Sequence, residues 1–213
     1  MNIKSEKMSK KNLAILTILF TIILDQVIKI YVKTHFVLGE EVVVFDWFRI
    51  HFVENNGMAM GFEFGGKTGK LFLTVFRLLV VPAILYWLFQ NIKNKIHNGV
   101  IIGISLIFSG AVGNIIDSVF YGVLFNDSYG QIAQFLSQEG GYSSLLFGNV
   151  VDMLYFPMWQ GDLPEWIPYF GGDNFIFFEP VFNVADVSIS IGFAILILFN
   201  KEAFPKTKED TIT

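Results

Sequence analysis

The sequence predicts an all-α integral membrane protein with four transmembrane helices, a small extracytoplasmic β element and an inserted outer loop. Three observations carry that reading. Of 213 residues, 53% are hydrophobic and 16% charged, whereas soluble domains carry about 25% charged residues. Four windows, about 13–32, 71–89, 100–118 and 181–199, are each apolar over the ~20 residues needed to cross a bilayer. Lys and Arg cluster in some connecting segments and are missing from others, which sets the orientation.

The first window is interrupted by Asp25 and Lys29. Lys4, Lys7, Lys10 and Lys11 precede it, as in a signal peptide. The run is long, however, holds a charge pair and has no small-residue cleavage site, so it is expected to be a retained helix. Next comes an outer β element, about 38–67. Phe48, Ile50 and Phe52 alternate with Arg49 and His51, the pattern of a half-buried strand. Asn56-Gly57 and Gly65-Gly66 mark turns.

The second window carries Arg77 and Pro82 and is followed by Lys93 and Lys95. The third is rich in Gly and Ser and ends near Asn114 and Asp117. The segment 122–180 has seven acidic residues and no Lys or Arg. Within it, Tyr129–Gln138 is expected as a short amphipathic helix, and Tyr155, Trp159, Trp166 and Tyr169 suit a membrane interface. The fourth window opens with Asn183 and Asp186, and Lys201, Lys206 and Lys208 follow it. Both termini and the 90s loop are therefore expected in the cytoplasm, with 34–69 and 122–180 outside. The whole chain, 1–213, is expected to form one membrane domain.

Composition also excludes classes of function. With no cysteine there is no disulfide, thiolate metal site or cysteine nucleophile. The net charge of −4 argues against a nucleic-acid partner. His35, His51 and His97 show no metal-ligand spacing, so no metal or other cofactor is expected.

At 1.5 Å per helical residue, Asp25 and Lys29, Asn114 and Asp117, and Asn183 and Asp186 fall at one depth in the outer leaflet. A carboxylate in the bilayer core costs about 2.5–3.5 kcal/mol, so several at one level favour a shared polar cavity. Each also has a structural reading. Asp25 and Lys29 are spaced to pair on one helix face. Asn114 suits interhelical bonding, Asp117 a solvated helix end, and Asp152 an ordinary loop surface. Asp186 is embedded with no basic residue within a turn. A small ion- or proton-coupled transporter would use the same residue types, but the inner half of the helices is almost uncharged, which argues against a through-path. A non-enzymatic scaffold would leave the embedded carboxylates unexplained.

Five stretches, in order, resemble the bacterial lipoprotein signal peptidase (signal peptidase II) family. They are Asp25-Gln-Val-Ile-Lys29, Asn55-Asn56-Gly57-Met58-Ala59-Met60, Gly113-Asn114-Ile115-Ile116-Asp117, Val151-Asp152-Met153 and Phe182-Asn183-Val184-Ala185-Asp186. The resemblance implies a multi-pass aspartyl endopeptidase of the bacterial inner membrane, with its active site at the periplasmic side. It would cut signal peptides from lipid-modified prolipoproteins just before the diacylglyceryl-cysteine. The catalytic pair would be Asp152 and Asp186. Asp25, Lys29, Asn55, Gly57, Asn114, Asp117, Asn183 and Ala185 match supporting positions. The implied partners are prolipoprotein substrates and membrane lipids, with the enzyme a monomer that uses no cofactor.

Two departures stand out. Ser118 occupies a position where the family usually has Arg. Between Asp117 and Asp152 lie 34 residues in place of a short link. This polar, Gly-rich insert, about 123–149, is expected to be an extra outer loop or lid. It also contains a second acid, Asp127, although Val-Val-Asp-Met fits the motif better than Asn-Asp-Ser. Met60 and Met153 stand where the family has Phe and keep the apolar bulk.

Overall fold

The computed structural model of the protein describes residues 8–56, 66–169 and 171–204. They form helices α1 (Lys10–Lys33), α2 (Gly66–Lys93), α3 (Asn98–Ile116), α4 (Gly122–Leu124), α5 (Val184–Leu198) and α6 (Asn200–Ala203), with a π-helical turn at Asp117–Tyr121 between α3 and α4. The strands are β1 (Glu41–Phe45), β2 (Phe48–Asn55), β3 (Val150–Tyr155), β4 (Trp159–Asp162), β5 (Asn174–Phe177) and β6 (Val181–Phe182). The chain divides into two compact units. One is Met1–Gln26, Phe72–Ile116 and Val184–Thr213; the other is Val27–Leu71 and Asp117–Asn183.

The first unit is helical. Three described helical stretches, Lys10–Lys33, Gly66–Lys93 and Asn98–Leu124, are long and apolar enough to cross a membrane. Large apolar side chains such as Leu19, Phe20, Ile23, Phe72 and Leu79 stand exposed on α1 and α2, as lipid-facing residues would. By contrast, α3 is the most enclosed of the three. Its Val100, Ile101, Ile104 and Ile107 pack with Ala14, Leu88, Leu196 and Ala203. Glycines let α3 and α5 approach closely. A Cβ on Gly110 would lie 2.3 Å from the Ala185 carbonyl oxygen, and one on Gly192 would lie 2.6 Å from the Gly103 oxygen. Small residues at a helix–helix seam are the usual device where lipid removes the hydrophobic drive for association.

The fourth expected span is shorter than its hydropathy suggests. Val181 and Phe182 form β6, and α5 runs for 15 residues from Val184. At 1.5 Å per residue that is about 23 Å, against a hydrocarbon core of about 30 Å. Pairing with β3, Leu154 opposite Phe182 and Tyr155 opposite Val181, overrides the apolar run.

The second unit is built on an antiparallel sheet in the order β1-β2-β3-β6, beside a two-stranded β4–β5 ribbon. The expected outer β element supplies only β1 and β2. Its other half comes from β3 and β6, which the sequence reading placed in a loop and in a helix. Gly66, expected in a turn, opens α2, whereas Gly171 and Gly172 lie in a turn, with Gly172 at φ +83°.

The insert departs further from expectation, because Tyr129–Gln138 is not helical. Asp127 Oδ1 accepts from the Tyr129 N–H at 2.5 Å, and Asn126 Oδ1 from the Gln134 N–H at 2.6 Å. Gly130 and Leu136 sit at φ +68° and +51°. Asn and Asp side chains thus take backbone donors that a helix needs. Bridges pair Val37 with Ile132 and Phe125 with Phe135.

Candidate active site

Asp152 lies in the second unit, on a strand and not in a loop. Strand β3 is almost wholly buried, and Asp152 is 2% exposed. Burying a carboxylate is costly without partners, and the sheet supplies them. Antiparallel register sets Val53 opposite Asp152 and Asn55 opposite Val150, so Asn55 shares a face with Asp152. Its Nδ2 donates to Asp152 Oδ2 at 2.8 Å. The β3–β6 pairing delivers Asn183, the residue after β6, whose Nδ2 donates to Asp152 Oδ1 at 2.6 Å.

Behind this residue lies an ion pair. Lys29 Nζ reaches Asp117 Oδ2 at 2.8 Å, with both side chains fully buried. The same oxygen accepts the Val151 N–H at 3.2 Å. Asp117 therefore holds the backbone just ahead of Asp152, and it is not the solvated helix end considered above. Gly148 is required here, since a Cβ would lie 2.1 Å from the Asp117 carbonyl oxygen. Ser118, where the family has Arg, is buried, and its carbonyl accepts the Gly148 N–H at 2.9 Å.

Asp186 lies in the first unit, in the first turn of α5. Asn114 Nδ2 on α3 donates to Asp186 Oδ1 at 2.9 Å. One residue earlier, the N–H of buried Ala185 donates to Asp25 Oδ1 at 2.9 Å. A helix start leaves such N–H groups without intrahelical partners, and a carboxylate there also meets the positive end of the helix dipole. Asp25 is thus a cap for α5 supplied by α1. Gln26 Nε2 donates to Asp25 Oδ2 at 3.1 Å and to the Gly113 carbonyl at 3.2 Å. A Cβ on Gly113 would lie 2.6 Å from Asp25 Oδ2, so glycine makes room for the carboxylate. Beyond the mutual pairing that their spacing suggests, Asp25 accepts the Ala185 N–H and Lys29 meets Asp117.

Of the expected residues, Lys29, Asn55, Asp117, Asp152 and Asn183 lie in the second unit, and Asp25, Asn114, Ala185 and Asp186 lie in the first. Gly57 lies outside the described residues. Among the described residues no group of three or more His, Cys, Asp or Glu could hold a metal ion.

A model of the family described as signal peptidase (SPase) II matches residues 17–200. The chain belongs to the signal peptidase II family. It is 48% identical over 191 residues to a lipoprotein signal peptidase of Porphyromonas gingivalis, covering 89% of this chain and 81% of that one. A lipoprotein signal peptidase of Amoebophilus asiaticus is 36% identical over 185 residues, covering 84% and 74%. A solved bacterial membrane enzyme, determined in meso at 2.3 Å, superposes with TM-score 0.58 at 27% identity and covers 92% of each chain. A second, at 1.9 Å, gives 0.56 at 26% identity, covering 91% of this chain and 94% of that one. The chain is accordingly a peptidase of a membrane-embedded family.

One polar cluster was missed from the sequence. Lys33 pairs with Glu54, and Ser128 Oγ lies 3.0 Å from Lys33 Nζ. Asn149 Nδ2 donates to Glu54 Oε2 at 2.9 Å, and Lys70 donates to Asn149 Oδ1. A signal was present: Lys33 follows Lys29 by four residues on one helix face, and Glu54 adjoins Asn55.

Proposed function

We propose that this chain is an intramembrane aspartyl endopeptidase. It removes the signal peptide from diacylglyceryl-modified prolipoproteins, cutting just before the lipidated cysteine, with Asp152 and Asp186 as the catalytic pair. The observation that carries this assignment is the kind of partner each aspartate meets. Asn55 and Asn183 donate to Asp152, and Asn114 donates to Asp186. Asp117, by contrast, bonds a lysine and a backbone N–H, and Asp25 caps a helix. Amide donors fix the position of both carboxylates. A general acid–base pair needs that, because each member must stand at the atom to which it gives or from which it takes a proton. Asn183 also stands only three residues ahead of Asp186 in the chain.

Two carboxylates about 3 Å apart do not both ionise, so they share one proton. The ionised member takes a proton from water, which attacks the scissile carbonyl. The protonated member hydrogen-bonds the carbonyl oxygen and then helps protonate the leaving amine. Asn55, Asn183 and Asn114 hold the carboxylates, Asp25 fixes the start of α5, and the Lys29–Asp117 pair fixes β3.

In this reading the protein sits in the bacterial inner membrane with four spans, both termini cytoplasmic and the site periplasmic. The lysines at 93, 95 and 201 and the uncharged-or-acidic segment 122–180 support that orientation. Substrate acyl chains then stay in lipid while the peptide bond enters the site. The test is cleavage of a lipidated precursor peptide by purified protein, with and without EDTA. Cleavage at the cysteine, unaffected by EDTA, is expected; an EDTA-sensitive enzyme would contradict the two-aspartate mechanism.

A further inference from the structure

The second unit holds a cavity of about 290 Å³ that the proposed chemistry does not use. Asn56, Lys67, Lys70, Tyr142, Ser143 and Asn149 line it. Its lining is rich in donors. Lys70 is 8% exposed and is held by two amide carbonyls, donating to Asn149 Oδ1 and, at 3.2 Å, to Asn56 Oδ1. Lys67 adds a second cation one turn earlier on α2. The Tyr142 oxygen already accepts the Asn149 N–H at 2.6 Å, which leaves its own O–H to donate. Burial pushes the Tyr142 phenol up, with Glu54 and Asp117 acting the same way and the Asn149 N–H opposing, so it stays protonated. Lys67 and Lys70 are the charged side chains among the described lining residues, and Glu54, which accepts from Asn149, is paired with Lys33.

The cavity adjoins Asp152 along both strands that hold it. Asn56 follows Asn55, which bonds Asp152, and Asn149 lies three residues before Asp152. Three strand residues span about 10 Å, so an extended peptide crossing Asp152 reaches the cavity about three residues from the scissile bond. The signal-peptide side of the substrate is apolar and lies in lipid, whereas the side after the cysteine leaves the membrane. A cationic, hydrogen-bonding cavity suits the latter.

Resting on the function proposed above, we propose that this cavity is a substrate subsite that takes the carboxylate of an acidic residue a few positions after the lipidated cysteine. Such a contact joins a charge to fixed donors and strengthens binding by about tenfold or more. The full-length enzyme in detergent would be given lipopeptides that differ only in having Asp, Asn or Lys at the third to fifth residue after the cysteine. The expected result is a KM about tenfold lower for Asp than for Asn, highest for Lys, with the difference shrinking as salt rises. In Lys67→Glu, at an exposed position, the order should invert. In Lys70→Gln the Asp-over-Asn ratio should fall towards one.

Equal KM for all three peptides in the wild-type enzyme overturns the subsite and leaves the peptidase reading standing. Cleavage of none of them overturns the peptidase reading, and the subsite with it. Should the Asp preference instead persist in both Lys67→Glu and Lys70→Gln, it arises outside the cavity and the proposal fails.

Discussion

At the scale of single residues, the clearest energetic statement concerns Lys29 and Asp117. Both are fully buried and 2.8 Å apart, and Asp117 also holds the Val151 N–H. Removing one partner of such a pair leaves a buried charge, which costs about 3–5 kcal/mol, whereas replacing both by apolar groups costs far less. Lys29→Met is therefore expected to lower the melting temperature in detergent sharply. A double variant, Lys29→Met with Asp117→Leu, should recover part of that loss. Equal melting of wild type and Lys29→Met would show that the pair does not stabilise the fold. Much at this scale was legible in advance. Asp186 stood out because a charge in an apolar run is rare, and Asp152 emerged from its motif. The Lys33–Glu54–Asn149 cluster was legible only in part: Lys33 repeats the helix face of Lys29, but the sheet and insert that bring Glu54 and Asn149 to it are not encoded in local pattern.

Elements place these residues through close approach. Two glycines on α3 make contrasting predictions. A Cβ at Gly110 would meet a backbone oxygen at 2.3 Å, which cannot move without shifting α5. Gly110→Ala is expected to destabilise by about 1–3 kcal/mol, and to lower activity because Asp186 rides on α5. At Gly99 the nearest atoms, at 2.7 Å, belong to the Phe199 ring. That ring can swing aside, and Ala favours a helix over Gly by up to about 1 kcal/mol, so Gly99→Ala should melt within a degree or two of wild type. Thermal unfolding of the two variants side by side checks the pair; equal losses would contradict the α3–α5 approach. Helices were the readable elements, since an apolar run of 20 residues announces itself. The strands β3 and β6 were not. Their pairing is non-local, with Asn55 and Asp152 separated by 97 residues, and β6 is only two residues long.

On the scale of the molecule, the insert changes meaning. From sequence it was an added loop or lid. In the structure it is bonded into the second unit: the Leu38 N–H donates to the Ser128 carbonyl, Ser128 meets Lys33, and Asn149 ties Glu54 to Lys70. Replacing residues 125–148 by a short linker should therefore cost stability as well as substrate handling, since Lys33 and Glu54 lose the groups around them. A deletion variant that melts like wild type would return the insert to the role of a detachable lid.

The central claim is the proposal that Asp152 and Asp186 perform the hydrolysis. It is tested most directly by the cleavage rate of a lipidated precursor under single-turnover conditions, using Asp152→Asn and Asp186→Asn protein that remains folded in detergent. Asparagine keeps the shape but cannot exchange the proton, so each variant is expected to lose activity by at least about a thousandfold. An Asp186→Asn enzyme that cleaves at an undiminished rate would contradict the account.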